Sequence, residues 1–161
     1  MKKEFTEQEA LAKAASYCSL AEHCSTEVVE KLQVWGMTEE ATARIMQQLI
    51  NDRFVDDARF CVAYTRDKYR FAQWGRNKIR QNLRMKGMDT DQITKGMESI
   101  DESEYIALLA DLLKRKRKTI KARNDYELDG KLARFALSRG FEPNYVFKLL
   151  KNVDESLDYT D

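Results

Sequence analysis

The stretch WGRNKIRQNLRMKGM, residues 74 to 88, carries Arg76, Lys78, Arg80, Arg84 and Lys86 and no acidic residue. On a helix, Arg76, Arg80 and Arg84 form one stripe, Ile79 and Leu83 point away from it into a core, and Lys78 and Lys86 flank that core stripe. A guanidinium is a planar fork of donors suited to phosphate or carboxylate. Just upstream, Arg66, Lys68 and Arg70 interleave with Tyr64, Tyr69, Phe71 and Trp74, and aromatic faces beside cations can stack on unpaired bases. The chemistry on offer is recognition of a polyanion or of an acidic protein groove. Against it stands a plainer reading, in which Tyr64 and Phe71 are core and the arginines are solvated. We read Tyr64 and Phe71 as core, and Arg66, Lys68, Arg70, Trp74, Arg76, Lys78, Arg80, Arg84 and Lys86 as a partner- or DNA-binding surface. Residues 66–86 hold eight basic side chains and one acidic, whereas an inert face mixes its charges.

A second block, LKRKRKTIKAR at residues 113 to 123, sets Lys114, Arg115, Lys116, Arg117 and Lys118 in succession. Cations suit a helix C-terminus, so this block fits a helix end as well as it fits a binding site. If both blocks face one groove they make one basic surface. The front of the chain is the opposite: residues 1–57 carry 6 basic and 11 acidic side chains, although the formal net charge of the whole is only +1.

Enzyme chemistry finds little to work with. His23 is the only histidine, and no glycine-rich phosphate loop, GxSxG or HExxH occurs. Asp56 and Asp57 are better helix starters than an acid–base pair. Neither catalysis nor a cofactor is expected. Cys18, Cys24 and Cys61 lack CxxC spacing, and Cys18, His23 and Cys24 lack the partners of a metal site, so free thiols in a reducing cytosol are expected. The N-terminus is too acidic and polar for a secretory signal. No run approaches the roughly 18 apolar residues of a membrane span, which points to a cytoplasmic protein.

The elements that must position these residues are all helical. Strand alternation and hairpin turns are absent from the sequence, and helix signals recur throughout. Helices are expected over 7–21, 57–71 and 102–122, with Ser25 and Thr38 as N-caps and Phe60, Cys61, Tyr64 and Phe71 on one inner face. A longer pattern overlies them. Gly36, Gly87 and Gly140 each close a helix, 51 and 53 residues apart. Eight positions earlier stand Val28, Ile79 and Leu132; four earlier, Leu32, Leu83 and Ala136; one later, Met37, Met88 and Phe141. Ten and thirteen later come Met46, Met97 and Leu150, then Leu49, Ile100 and Val153. A helix–Gly–helix corner used three times, each with a long preceding helix, predicts three stacked units: 1–55 (acidic), 56–101 (basic) and 102–161 with a short C-terminal tail.

The run from Leu49 to Met88 resembles the central pattern of the RecX family of bacterial recombination regulators: Phe54, Asp56, Asp57, Arg59, Phe60, Tyr64, Gly75, Lys78, Ile79, Leu83, Lys86 and Gly87 match it. Phe135, Arg139, Gly140 and Phe141 resemble the corresponding place in the third repeat. The resemblance implies three tandem three-helix repeats in an elongated, curved array; a monomer is expected. It also implies a partner, the RecA recombinase as a filament on single-stranded DNA, whose ATPase, strand exchange and co-protease action such proteins restrain; some members also touch DNA directly. The chain departs from the pattern at Arg53, usually glycine, at Arg76, commonly proline, at Asn82, often acidic, and at LAEHCS, residues 20–25, where an arginine-rich turn is usual. Two other functions fit the same residues: a stand-alone nucleic-acid-binding module, and a helical scaffold with an unrelated partner.

Overall fold

The computed structural model describes residues 4 to 150, so the C-terminal tail and Val153 lie outside the described residues. The described residues are all-helical: α1 (Glu7–Leu20), α2 (Ser25–Val34), α3 (Glu39–Asn51), α4 (Asp57–Asp67), α5 (Arg76–Met85), α6 (Thr90–Glu98), α7 (Glu102–Arg117), α8 (Asp125–Ser138) and α9 (Pro143–Leu149). In chain order they group as α1–α3, α4–α6 and α7–α9, an array of helix triplets.

The three glycine corners are built alike. Gly36, Gly87 and Gly140 have φ of 84°, 86° and 95°, a left-handed conformation that turns the chain out of the helix. At each, the next residue's amide reaches back to the helix: Met37 to the Leu32 carbonyl at 3.0 Å, Met88 to Leu83 at 3.1 Å, Phe141 to Ala136 at 3.1 Å. Met88 and Phe141 are buried, so the corner is locked by an apolar contact as well as by the hydrogen bond.

The units do not keep three separate cores. Val28, Leu32, Ile45, Leu49 and Val55 close one core within α1–α3. A second, continuous core runs through both later triplets, from Phe60 and Cys61 through Ile79, Leu83, Tyr105 and Leu109 to Leu132 and Phe141. Cys24, from the first triplet, belongs to this second core.

Three local expectations change. Phe71 is exposed, not core. The chain leaves α4 through a π-helical turn, Lys68–Ala72, which ends at Gln73 in a left-handed conformation. The wider i→i+5 turn shifts the phase of the inner face, so Tyr69 is buried where an uninterrupted α-helix would have placed Phe71. Helix α7 stops at Arg117, not near 122. Adjacent like charges repel there, and the Thr119 hydroxyl takes the Lys116 carbonyl at 2.8 Å and helps close the end. Ser25 is the first helical residue, not the cap: Cys24 holds the cap position, and the Ser25 amide and hydroxyl both donate to Asp57, each at 2.7 Å.

The cysteines are free thiols; Cys24 and Cys61 are buried and Cys18 is partly exposed. Burial pushes the Cys61 thiol up to about 12, with the Asp57 charge adding to it. Titration of the native protein with a bulky thiol reagent at neutral pH is therefore expected to modify Cys18 alone, and all three only in denaturant. Fast native reaction at Cys61 would show that α4 opens readily.

Candidate functional site

The basic residues sit where the triplets join, so the joints come first. The amides of Gly75 and Asn77, at the start of α5, donate to the carbonyls of Arg139 and Gly140, at the end of α8, at 2.8 and 3.0 Å. Unsatisfied amides of one helix thus meet unsatisfied carbonyls of another, and the two opposite dipole ends attract. The preceding joint brings the equivalent helix ends together through a side chain. The Thr26 hydroxyl, at the start of α2, donates to the Lys86 carbonyl, after α5, at 2.7 Å. Cys24, Ser25 and Thr26 stand 51 residues before Gly75, Arg76 and Asn77, the spacing of Gly36 and Gly87. Ser25 grips Asp57, first residue of α4; Arg76 grips Glu102, first residue of α7, at 2.6 Å.

Arg76 therefore does not serve the exposed stripe. Its side chain is 13% exposed and bridges Glu102 and Glu142, the latter at 2.8 Å. Its guanidinium lies 4.1 Å from the Tyr105 ring centre, and its amide donates to the Tyr105 hydroxyl at 3.0 Å. The Tyr105 hydroxyl in turn donates to Glu142, and Tyr145 to Glu102. Burial works against the Arg76 charge, but hydrogen bonds to Glu142 and Glu102 outweigh it and keep the group protonated. Arg76 is the clasp of the joint between α5 and α7–α9.

The remaining cations of this region divide over the two flanks of the buried Ile79–Leu83 stripe. On one flank, Arg80 donates to Asn77 at 3.0 Å and, with the exposed Arg84, lines an open groove against Thr90, Thr94 and Glu98 of α6. On the other, the half-buried rings of Tyr64 and Trp74 carry lysines. Lys68 lies 4.8 Å from the Trp74 ring centre and 5.3 Å from Tyr64; Lys78 lies 4.5 Å from Trp74; Lys86 lies 5.7 Å from Tyr64. Cations near such rings are attracted by the ring quadrupole. Arg66 is exposed at the end of α4, whereas Arg70 is paired with Glu104 at 2.8 Å.

The second basic block is likewise divided. Arg115 pairs with Asp111 at 2.8 Å, and Arg117 with the buried Asp129 at 2.5 Å. Lys114 and Lys118 are exposed. Lys116 turns the other way, 4.8 Å from the Phe135 ring centre. Arg139 covers the same ring at 5.2 Å and donates to the Ala72 carbonyl at 3.0 Å, next to Trp74. The two blocks are thereby connected. Lys86, Tyr64, Lys68, Trp74 and Lys78 form one run of cations and rings, and Arg139, Phe135 and Lys116 continue it across the joint.

Arg139 and Phe135 were not among the site residues expected from the sequence. The unit spacing was the available signal, because Arg139 stands 53 residues after Lys86, as Gly140 stands after Gly87. The run ends at Glu27, in the place that Lys78 holds one unit later. Burial pushes the Glu27 carboxyl up, but hydrogen bonds from Cys24 and the charges of Lys86 and His23 outweigh it and hold it below its ordinary value. Among the described residues, no helix is long and apolar enough to cross a membrane.

The comparisons with known proteins agree with this architecture. Residues 56–97 match the model of the second three-helix domain of RecX, and residues 102–150 that of the third. A regulatory protein RecX of Clostridium botulinum (strain Alaska E43) is 32% identical over 86% of this chain and 65% of its own length. The RecX of Acinetobacter baylyi is 27% identical, over 83% and 81%. That of Bacillus cytotoxicus is 23% identical, over 94% and 56%, so the chain spans little more than half of that relative. In fold, the crystal structure of RecX from Lactobacillus salivarius superimposes with a TM-score of 0.78 at 19% identity, covering 89% of this chain and 93% of that one. Two RecX domain models, matching in tandem along most of the described helices and joined by relatives of the same name, show that the chain belongs to the RecX family.

Proposed function

We propose that this chain is a non-enzymatic regulator that binds the RecA filament on single-stranded DNA and restrains its ATPase, strand exchange and co-protease activity. The relatives' shared designation as regulatory proteins supports the regulatory role. The observation that carries the binding surface is the run of cations and rings from Lys86 to Lys116 across one joint. Such a surface complements an acidic groove or a phosphate backbone and speeds encounter with either. In this reading the units divide near residues 55 and 101, and the joint lies against the partner.

The test is RecA's single-strand-dependent ATPase at near-physiological salt, with this chain well below one copy per RecA. Strong inhibition is expected, because one groove binder holds several protomers. Lys68→Glu with Lys78→Glu is expected to lower potency about tenfold or more, with helical content unchanged. Full potency in that double variant would remove the face from the mechanism. The alternation of lysines with Tyr64 and Trp74 favours one second reading, direct binding of single-stranded DNA. Tight binding to bare DNA without any effect on the ATPase would select it.

A further inference from the structure

The four most exposed large apolar side chains among the described residues are Leu20 (87%), Phe71 (81%), Val34 (78%) and Met85 (76%). Singly, an exposed apolar residue means nothing. These four are two pairs at one spacing: Phe71 follows Leu20 by 51 residues, and Met85 follows Val34 by 51, as Gly87 follows Gly36. Equivalent places in successive units thus expose large apolar groups. Leu20 and Phe71 lie where the first helix of a unit gives way to the second, and Val34 and Met85 are each the last residue of the second helix. The core does not ask for this. The π-helical turn that exposes Phe71 buries Tyr69 two residues earlier.

Resting on the function proposed above, we infer that Leu20 with Val34 and Phe71 with Met85 are repeated apolar anchors, engaging equivalent apolar sockets on two consecutive subunits of the protein filament. A repeated anchor pair suits a partner that itself repeats. Met85 stands between Arg84 and Lys86 and Phe71 follows Arg66, Lys68 and Arg70, whereas Leu20 and Val34 belong to the acidic first unit, so what the two units share is the apolar anchors and not the charge around them. Engagement of two sockets by one chain is multivalent and makes the assembled filament a far better target than the isolated subunit.

The test compares wild type with Leu20→Ser plus Val34→Ser, with Phe71→Ser plus Met85→Ser, and with all four changes, for binding to RecA assembled on a single-stranded oligonucleotide and to unassembled RecA. All four side chains are exposed, so the fold is retained, as circular dichroism checks. Losing either pair is expected to weaken filament binding on the order of 100-fold, yet binding to unassembled RecA by no more than about twofold, because the remaining pair serves one socket. A quadruple variant that binds the filament as wild type does overturns the anchors while leaving the proposed function intact. Equal losses on filament and subunit overturn the repeated engagement. Wild type that binds neither removes the proposed function, and the anchors with it. A wild-type dimer in sedimentation that the quadruple variant abolishes assigns these residues to self-association, and overturns the inference.

Discussion

Gly75→Ala is expected to cost about 3 to 5 kcal/mol and to loosen the third triplet from the second. The position does not need glycine for its backbone, since φ is −83°. It needs glycine for space: a Cβ there would lie 2.2 Å from the Phe141 nitrogen and 2.3 Å from the Gly140 carbonyl carbon. Both are backbone atoms and cannot rotate aside. Overpacking of this kind costs about 1–3 kcal/mol, and the two amide bonds to Arg139 and Gly140 that must open add about 1 kcal/mol each. Gly36→Ala is the counterpart. Its φ is 84° and nothing approaches within 4 Å, so only the left-handed conformation is penalised, at about 1–2 kcal/mol. Urea unfolding followed at Trp74, beside the joint, measures the difference. If Gly75→Ala costs no more than Gly36→Ala, the joint is soft and does not fix the geometry of the basic face.

That contrast also shows what a sequence can and cannot reveal. The corners at Gly36, Gly87 and Gly140 were legible because a left-handed residue has a chemical signature, glycine, and because the apolar positions around it recur. Ile79 and Leu83 were legible as core from helical spacing alone. Phe71 was not, because the π-helical turn at Lys68–Ala72 has no local code and reverses which aromatic is buried. Arg53 shows a milder case. Glycine is usual there in the resembled pattern, and the structure gives the arginine φ 61°, with Arg59 donating to its carbonyl at 3.0 Å. Whether charged side chains face solvent or one another is decided by distant partners. Arg80 and Arg84 stay on the surface, but Arg76, one turn away, meets carboxylates 26 and 66 residues further along the chain. Periodicity within α5 places Arg76 nearer the Ile79–Leu83 stripe than Arg80 or Arg84, but it does not say which carboxylates Arg76 meets.

Arg76→Ala is expected to destabilise the protein by about 3 kcal/mol, near the low end of the cost of stranding a charge in a buried pair, because its partner Glu142 is only partly buried. The magnitude belongs to the environment. The Arg76 side chain is 13% exposed and that of Glu142 19%, and the Tyr105 hydroxyl donates to Glu142 from within the shared core. Without the guanidinium, the Glu142 carboxyl loses its ion-pair partner in a site that water reaches poorly. Glu102 is half exposed and loses less. The pH dependence separates this cause from lost packing. Hydrogen bonds from Tyr145 and then Arg76 hold the Glu102 carboxyl below its ordinary value of 4.5. A carboxyl held low contributes stability that is present above that value and lost as pH falls through the folded one. The gap between wild type and Arg76→Ala should thus be full at pH 7 and narrow below about pH 4.5. A gap that stays constant over that range would mean that Arg76 acts through its contact with the Tyr105 ring and not through its charge. A charge reversal at Arg76 reads the fold for the same reason, so the partner is better probed at Lys68 and Lys78, whose ammonium groups lie by the half-buried rings of Tyr64 and Trp74.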